Sequence, residues 1–151
     1  MTDSQKIDLQ QKASLKEVFD NLLSEQKECV FCSTDTITMC LRKVIKWKKW
    51  NPQKFVEKTG LTAVLYSRIK NKDDHNITLE PVIAICIGAQ LSFSLSIELI
   101  QKAGYSLNGS KIHTAYKALL MSTANISIDK ANQFLISQGI KAISDKNMYK
   151  N

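Results

Sequence analysis

Basic side chains are concentrated in one part of this 151-residue chain. Residues 36 to 72 hold ten Lys and Arg against a single Glu, a local charge of +9, while the whole chain carries +7. Residues 1 to 35 and 73 to 110 each carry −3, and residues 111 to 151 carry +4. Cations at this density neutralise phosphates, so the pattern favours binding to a polyanion such as double-stranded DNA. The alternative is an ordinary solvated helix face.

Other reactive residue types do not form a pattern of comparable strength. The sequence lacks paired carboxylates, a nucleophile with a nearby base, and a glycine loop that would cradle phosphates, which predicts a protein that is not an enzyme and uses no cofactor. Cys29 and Cys32 have a spacing that can bind zinc, but a structural zinc site needs four ligands and no second pair follows. We therefore expect no metal, and interpret Cys29, Cys32, Cys40 and Cys86 as packing residues or free thiols in a reducing compartment.

Five of these ten basic residues lie within residues 36 to 49, and the other five lie within residues 51 to 72, where two short helices are predicted. Pro52 is tolerated only in a first helical turn, and Asn51 before it is a suitable N-cap. Gly60 supplies the left-handed residue that ends this helix, and Thr62 is the N-cap of the next. Two helices joined by a glycine turn are typical of a DNA-reading helix-turn-helix.

The segment F-V-E-K-T-G-L-T-A-V-L-Y-S-R-I-K, residues 55 to 70, resembles the helix-turn-helix of the Cro and phage-repressor family, often called the XRE family. The resemblance extends upstream into residues 41 to 44 and downstream into residues 78 to 82, and covers about residues 36 to 105. It implies a compact, multi-helix, lambda-repressor-like DNA-binding domain with additional helices on both sides. A transcriptional regulator of the repressor type is the function that this resemblance implies.

The resemblance also implies roles for individual residues. By position in the family motif, the base contacts would be Thr62, Ala63, Val64, Ser67 and Arg68. The phosphate contacts would be Lys43, Gln53, Lys54, Lys70, Asn71 and Lys72. Tyr66 and Ile69 fall on inward-packing positions. Of the base-contact set, only Arg68 can bind guanine with two hydrogen bonds, while Ala63 and Val64 depart from the usual polar readers and suit thymine methyl groups.

The apolar character of Ala63 and Val64 leaves a second function class open. An exposed apolar strip on a surface helix is also a feature of protein contacts. The chain is therefore either a DNA-binding regulator, expected to be a homodimer, or an interaction module that keeps the fold and binds a protein partner through the same helix.

Helical periodicity extends over the rest of the chain, which predicts an all-α protein. The predicted helices span residues 15 to 25, 36 to 49, 52 to 59 and 62 to 70, one from Thr78, one from Ser94 to Gly104, and residues 111 to 122 and 128 to 137. Residues 1 to 35 would form an N-terminal extension, 36 to 105 the DNA-binding domain, and 106 to 151 a C-terminal helical extension.

The first predicted helix begins at a capping box formed by Ser14 and Glu17, so residues 1 to 13 are expected to fray. At the other end of the chain, the tail from Ala142 is also expected to be loose. Its apolar stripe includes Phe19 and Leu22, which we expect to mediate dimerisation; the two C-terminal helices are the other candidates. The absence of a secretory signal and of a membrane-spanning apolar run predicts a cytoplasmic protein with no membrane partner.

Overall fold

The computed structural model describes residues 2–74 and 76–144 and is all-α over this range. These residues form eight α-helices and one short 3-10 helix, without a β-strand. The helices are α1 (Asp3–Glu28), α2 (Ile37–Lys48), α3 (Pro52–Thr59), α4 (Ala63–Asn71), α5 (Leu79–Gly88), α6 (Phe93–Lys102), α7 (Lys111–Leu120) and α8 (Ile128–Ser137), with the 3-10 helix at Thr123–Asn125. The chain divides into two compact units after Val30. None of these helices is both long and apolar enough to cross a membrane.

The first unit consists of α1, which begins much earlier than the sequence predicted. The amide of Gln5 donates to Thr2 Oγ1 at 3.2 Å, and the Thr2 amide donates to Gln5 Oε1 at 2.9 Å. This capping box starts the helix, and the following residues contain neither Gly nor Pro, so nothing interrupts it before residue 28. The predictions that Ser14 begins the helix and that residues 1 to 13 fray are therefore wrong for the described residues.

The second unit begins with three helices, α2, α3 and α4, of which the last two form the predicted motif. Thr36 caps α2 by accepting a hydrogen bond from the Met39 amide at 3.2 Å. The predicted caps of the next two helices are confirmed: Asn51 accepts from the Lys54 amide at 2.7 Å, and Thr62 accepts from the Leu65 amide at 3.2 Å. These two helices, α3 and α4, pack on one another.

Helix α5 is the central buried helix of this unit. Residues 82 to 87 are buried on every side, as expected for a helix with an almost continuous apolar sequence. It contacts α3, α6, α7 and α8. Thr78 occupies its N-cap position, although its side chain makes no capping hydrogen bond. The next helix, α6, is capped by Ser92 and not by Ser94, because Ser92 Oγ accepts from the Leu95 amide at 3.2 Å.

The C-terminal helices α7 and α8 are capped by Ser110 and Ser127, and α8 has the bounds that the sequence predicts. The described part of the tail is not loose. The Ile143 amide donates to Asn132 Oδ1 at 2.9 Å, and Ile143 and Ser144 are both buried. The expectation that the tail frays from Ala142 is therefore wrong as far as Ser144, and residues 145–151 lie outside the described range.

Candidate nucleic-acid interface

Three aromatic rings set the angle between the helices of the motif. Phe55 is fully buried, and its ring centroid lies 6.1 Å from that of Trp50 and 5.4 Å from that of Tyr66, both in edge-on arrangements. The Tyr66 hydroxyl donates to the Trp50 carbonyl at 3.2 Å. Trp50 and Phe55 thus form a hydrophobic staple at the start of α3, and α4 is held against the beginning of α3 by packing and one hydrogen bond.

The turn between α3 and α4 is fixed by side chains from two distant parts of the chain. Thr59 Oγ1 donates to the Phe55 carbonyl at 2.6 Å and accepts from the Leu61 amide at 3.1 Å. Ser144 Oγ donates to the Thr59 carbonyl at 2.5 Å, and this bond is buried. Gly60 has φ +71, and a Cβ atom there would lie 2.6 Å from Ser144 Oγ. Glycine is thus required both by the backbone angle and by the close approach of Ser144.

One face of α4 is exposed to solvent among the described residues. Val64 is 80% exposed, Ala63 and Ser67 are exposed beside it, while Ile69 is fully buried. Tyr66 packs inward on Phe55, so the predicted inward positions are confirmed. Thr62 is only partly exposed, and its hydroxyl is engaged by the Leu65 amide. The residues predicted to face bases, other than Arg68, therefore lie at or beside the exposed start of α4.

Arg68, the predicted guanine reader, is bound within the protein. Its Nε donates to Asp74 Oδ2 at 2.7 Å, and its Nη2 donates to the Asn76 carbonyl at 2.6 Å. The Arg68 side chain is 41% exposed and that of Asp74 34% exposed. A two-bond contact to guanine through the same Nε and Nη2 hydrogens would require the guanidinium to leave both partners.

Arg42 on α2 is a residue whose role the sequence did not indicate. Its Nε donates to the Ile69 carbonyl at 2.7 Å, and its Nη2 donates to the Lys72 carbonyl at 2.6 Å and to Asp73 Oδ1 at 2.5 Å. These carbonyls lie at the end of α4, where helix acceptors lack intrahelical partners. The only hint in the sequence is that one arginine stands among the lysines of α2.

The side chains predicted to contact phosphates differ in exposure and in whether they form ion pairs within the protein. Lys43 Nζ lies 2.8 Å from Asp35 Oδ2, and this hydrogen bond lowers the pKa of the Asp35 carboxyl and raises the pKa of Lys43. Lys54 lies 3.8 Å from Glu57, one helical turn away, with both side chains exposed. Lys70 and Lys72 are exposed, and their ammonium groups have no ion-pair partner among the described residues. Gln53 and Asn71 are also exposed.

The cysteines are dispersed through the structure. Cys40 on α2 and Cys86 on α5 are fully buried, Cys29 is buried at the end of α1, and Cys32 is exposed. Burial raises the pKa of the Cys40 thiol to about 11, because a thiolate is poorly solvated there. Within the described ranges, no three His, Cys, Asp or Glu side chains are close enough to hold a metal ion together.

Comparisons with protein-family models, curated proteins and solved structures find no match for this chain. The likeness of residues 55 to 70 to the Cro and phage-repressor family therefore remains a resemblance, and function is inferred from the geometry described above.

Proposed function

We propose that the protein is a DNA-binding transcriptional regulator of the repressor type, which places α4 in the major groove of an operator. The observation that carries this proposal is the pair α3 and α4, joined at Gly60, with the start of α4 exposed and basic residues at its end. Such a pair presents the N-terminal residues of its second helix to base edges. The resemblance to the Cro and phage-repressor family supports the same assignment.

The exposed residues of the motif divide into two groups by chemistry. Thr62, Ala63 and Val64 lie at the start of α4, and Ser67 lies one turn further along. These residues would contact base edges, with the two apolar side chains against thymine methyl groups. Gln53, Lys54, Lys70, Asn71 and Lys72 flank them and would bind phosphates, which fixes position without conveying sequence. Lys43 would join this second group on release from Asp35.

The regulator would act as a homodimer, since one motif covers only a half-site and two recognition helices commonly enter successive major grooves. The first unit offers a surface for this purpose. Phe19 is 59% exposed and Leu22 is 36% exposed on α1, together with Leu15, Val18 and Leu23 at helical spacing. A contiguous apolar stripe of this kind is typical of helices that pair with another copy.

A specific observation also supports the second candidate, an interaction module. Val64 is among the most exposed apolar side chains of the second unit, and Ala63 lies next to it. A protein partner that supplied an apolar pocket would bury this strip without the help of the flanking lysines. The two candidates therefore differ in whether binding depends on charge.

The test is fluorescence anisotropy with labelled duplex DNA, both genomic fragments and random sequence, at 50 to 200 mM salt. If about six phosphates are neutralised, affinity falls by about three orders of magnitude over this range. Replacing Lys70 and Lys72 together by Gln should reduce the slope of log affinity against log salt by about two. The matched control replaces Lys130 and Lys141, which are exposed lysines outside the motif, and should leave the slope unchanged. Absence of duplex binding at 50 mM salt, or binding that ignores salt, would refute the proposal.

A further inference from the structure

A cavity of about 480 Å³ lies beside the turn that joins α3 to α4, and we name it the turn cavity. Four parts of the second unit form its walls: the turn itself at residues 60 and 61, the start of α5, one side of α7, and the C-terminal segment of residues 140 to 144. Its volume falls in the range of pockets that bind small molecules. The contacts proposed above for DNA do not involve it.

Much of the wall of the turn cavity is apolar. Leu61, Ile140 and Ile143 line it, and each of these residues is at most 8% exposed. They come from the turn and from the C-terminal segment, so two separate parts of the chain meet there. A small hydrocarbon body placed between them would be removed from water, which is the main source of affinity in such pockets.

Tyr116 brings a buried hydroxyl to the turn cavity without an internal partner for it. The residue is only 4% exposed, and its hydroxyl makes no hydrogen bond to another described residue. Burial raises the pKa of this hydroxyl, and the negative charge of Glu80 raises the pKa further, so Glu80 lies near it. Buried tyrosine hydroxyls usually have a partner. A ligand with a polar end would supply one, since a neutral hydroxyl both donates and accepts.

Two opposite charges complete the lining of the turn cavity. Glu80 lies in the first turn of α5, and Lys141 lies in the C-terminal segment. Neither side chain forms a hydrogen bond or an ion pair with another described residue, so the two charges do not pair with each other. A ligand with an ammonium group towards Glu80 and a carboxylate towards Lys141 would pair both of them. The charges therefore match a zwitterion better than a simple cation or anion.

We infer that the turn cavity binds a small zwitterion with an apolar body, of the class of the branched apolar α-amino acids. Glu80 and the hydroxyl of Tyr116 would accept hydrogen bonds from its ammonium group, and Lys141 would donate to its carboxylate. The apolar side chain of the ligand would lie against Leu61 and Ile143. This part of the inference is independent of the proposed function.

The position of the cavity also gives the ligand a role as an effector, and this role rests on the proposed function. Ser144 lines the cavity and donates to the Thr59 carbonyl at 2.5 Å, which restrains the motif turn. From the other side, Asn132 of α8 accepts from the Ile143 amide at 2.9 Å and donates to the Ser144 carbonyl. A ligand that fills the cavity presses on this segment and draws Ser144 away from the turn. Because binding at the two sites is linked, the zwitterion should lower the affinity for DNA.

An NMR titration of the full chain without DNA tests the ligand site. Three compounds share one hydrocarbon body: leucine, isopentylamine, which lacks the carboxylate, and 4-methylpentanoate, which lacks the ammonium group. Leucine should shift the amide signals of residues 60, 61 and 140 to 144 saturably, with a Kd of about 1 mM or lower. Each analogue should bind at least about tenfold more weakly, because one charge is left without its partner. Absence of saturation by leucine at about 10 mM, or shifts confined to other residues, would overturn the inference.

Variants assign the two ends of the ligand. Glu80→Gln should remove the preference for leucine over 4-methylpentanoate, and Lys141→Gln should remove the preference over isopentylamine. Tyr116→Phe keeps the ring and should weaken leucine binding by about three- to tenfold. The matched control is Glu98→Gln, at an exposed position of α6 outside the cavity, which should change nothing. These preferences are ratios within one protein, so a partly unfolded variant does not imitate their loss. A preference that survives both charge substitutions would refute the zwitterion.

Duplex binding with and without saturating leucine tests the effector role. In wild type the affinity should fall by about fivefold or more. Ser144→Ala should still bind leucine, but its duplex affinity should respond little, because the bond to the turn is gone. If wild type binds leucine and no duplex, the proposed function and the effector role fail while the ligand site stands. If it binds duplex and no leucine, the ligand site fails alone. An unchanged or higher duplex affinity in saturating leucine would overturn the effector role.

Discussion

Gly60→Ala tests the contact between the motif turn and the C-terminal segment. At φ +71 an alanine is strained, at a cost of about 1–2 kcal/mol. Its Cβ would also lie 2.6 Å from Ser144 Oγ, so Ser144 must move and give up its buried bond to the Thr59 carbonyl, which costs about 1–3 kcal/mol more. Urea unfolding should therefore show a loss of about 2–5 kcal/mol, a large part of the stability of a domain of this size.

A matched control separates backbone strain from the steric contact. Gly139 has φ +74, nearly the same angle, and nothing lies within 4 Å of the place where its Cβ would be. Gly139→Ala should thus cost only the strain, about 1–2 kcal/mol. Adding Ser144→Ala to Gly60→Ala should cost less than the sum of the two single variants, because the clashing oxygen is gone. Equal losses in Gly60→Ala and Gly139→Ala would refute the view that Ser144 restrains the turn.

Three further predictions concern other parts of the chain. The pKa of Cys40 is raised from 9.0 to about 11, so its neutral thiol stabilises the fold below about pH 9 and this contribution is lost as pH rises towards 11. The free energy of unfolding of wild type relative to Cys40→Ala should fall by about 2–3 kcal/mol over that range, and a constant difference would contradict the shift. Val64→Gln should change the free energy of unfolding by less than about 0.5 kcal/mol, because the Val64 side chain is 80% exposed. If the protein reads DNA, this variant should select different bases. If the protein is an interaction module, the variant should lose its protein complex. Phe19→Glu with Leu22→Glu should shift the protein from dimer to monomer in sedimentation velocity; a wild-type monomer at high concentration would rule out the proposed dimer.

Local signals in the sequence predicted the motif well. Asn51 and Pro52 mark the start of α3, Gly60 marks its end, and Thr62 marks the start of α4. Each acts through bonds within four residues of itself or through its own backbone angle. Such effects depend little on the rest of the fold, which is why they can be read from residue types. The exposure of Val64 follows from the same periodicity once the bounds of α4 are known.

Predictions failed where several local signals compete or where distant residues meet. The capping box at Ser14 is a sound signal, but an earlier one at Thr2 starts the helix first, and no residue between them stops it. The bond from Ser144 to Thr59 joins residues 85 positions apart, and that between Arg42 and Asp73 joins residues 31 apart. Residue types cannot reveal which of many donors and acceptors at such separations will be neighbours.

Ion pairs with residues outside the motif also change the net charge that the motif presents. The local charge of +9 for residues 36 to 72 omits Asp35, Asp73 and Asp74, which lie just outside that stretch and pair with Lys43, Arg42 and Arg68. Counting these three carboxylates lowers the net charge of the motif and its immediate flanks from +9 to +6. If six charges are neutralised by phosphates, the salt slope is about −5. A slope near −8 would mean that DNA opens all three ion pairs on binding. The salt dependence of affinity therefore reports both whether the surface binds DNA and whether the ion pairs of Lys43, Arg42 and Arg68 stay closed while it does so.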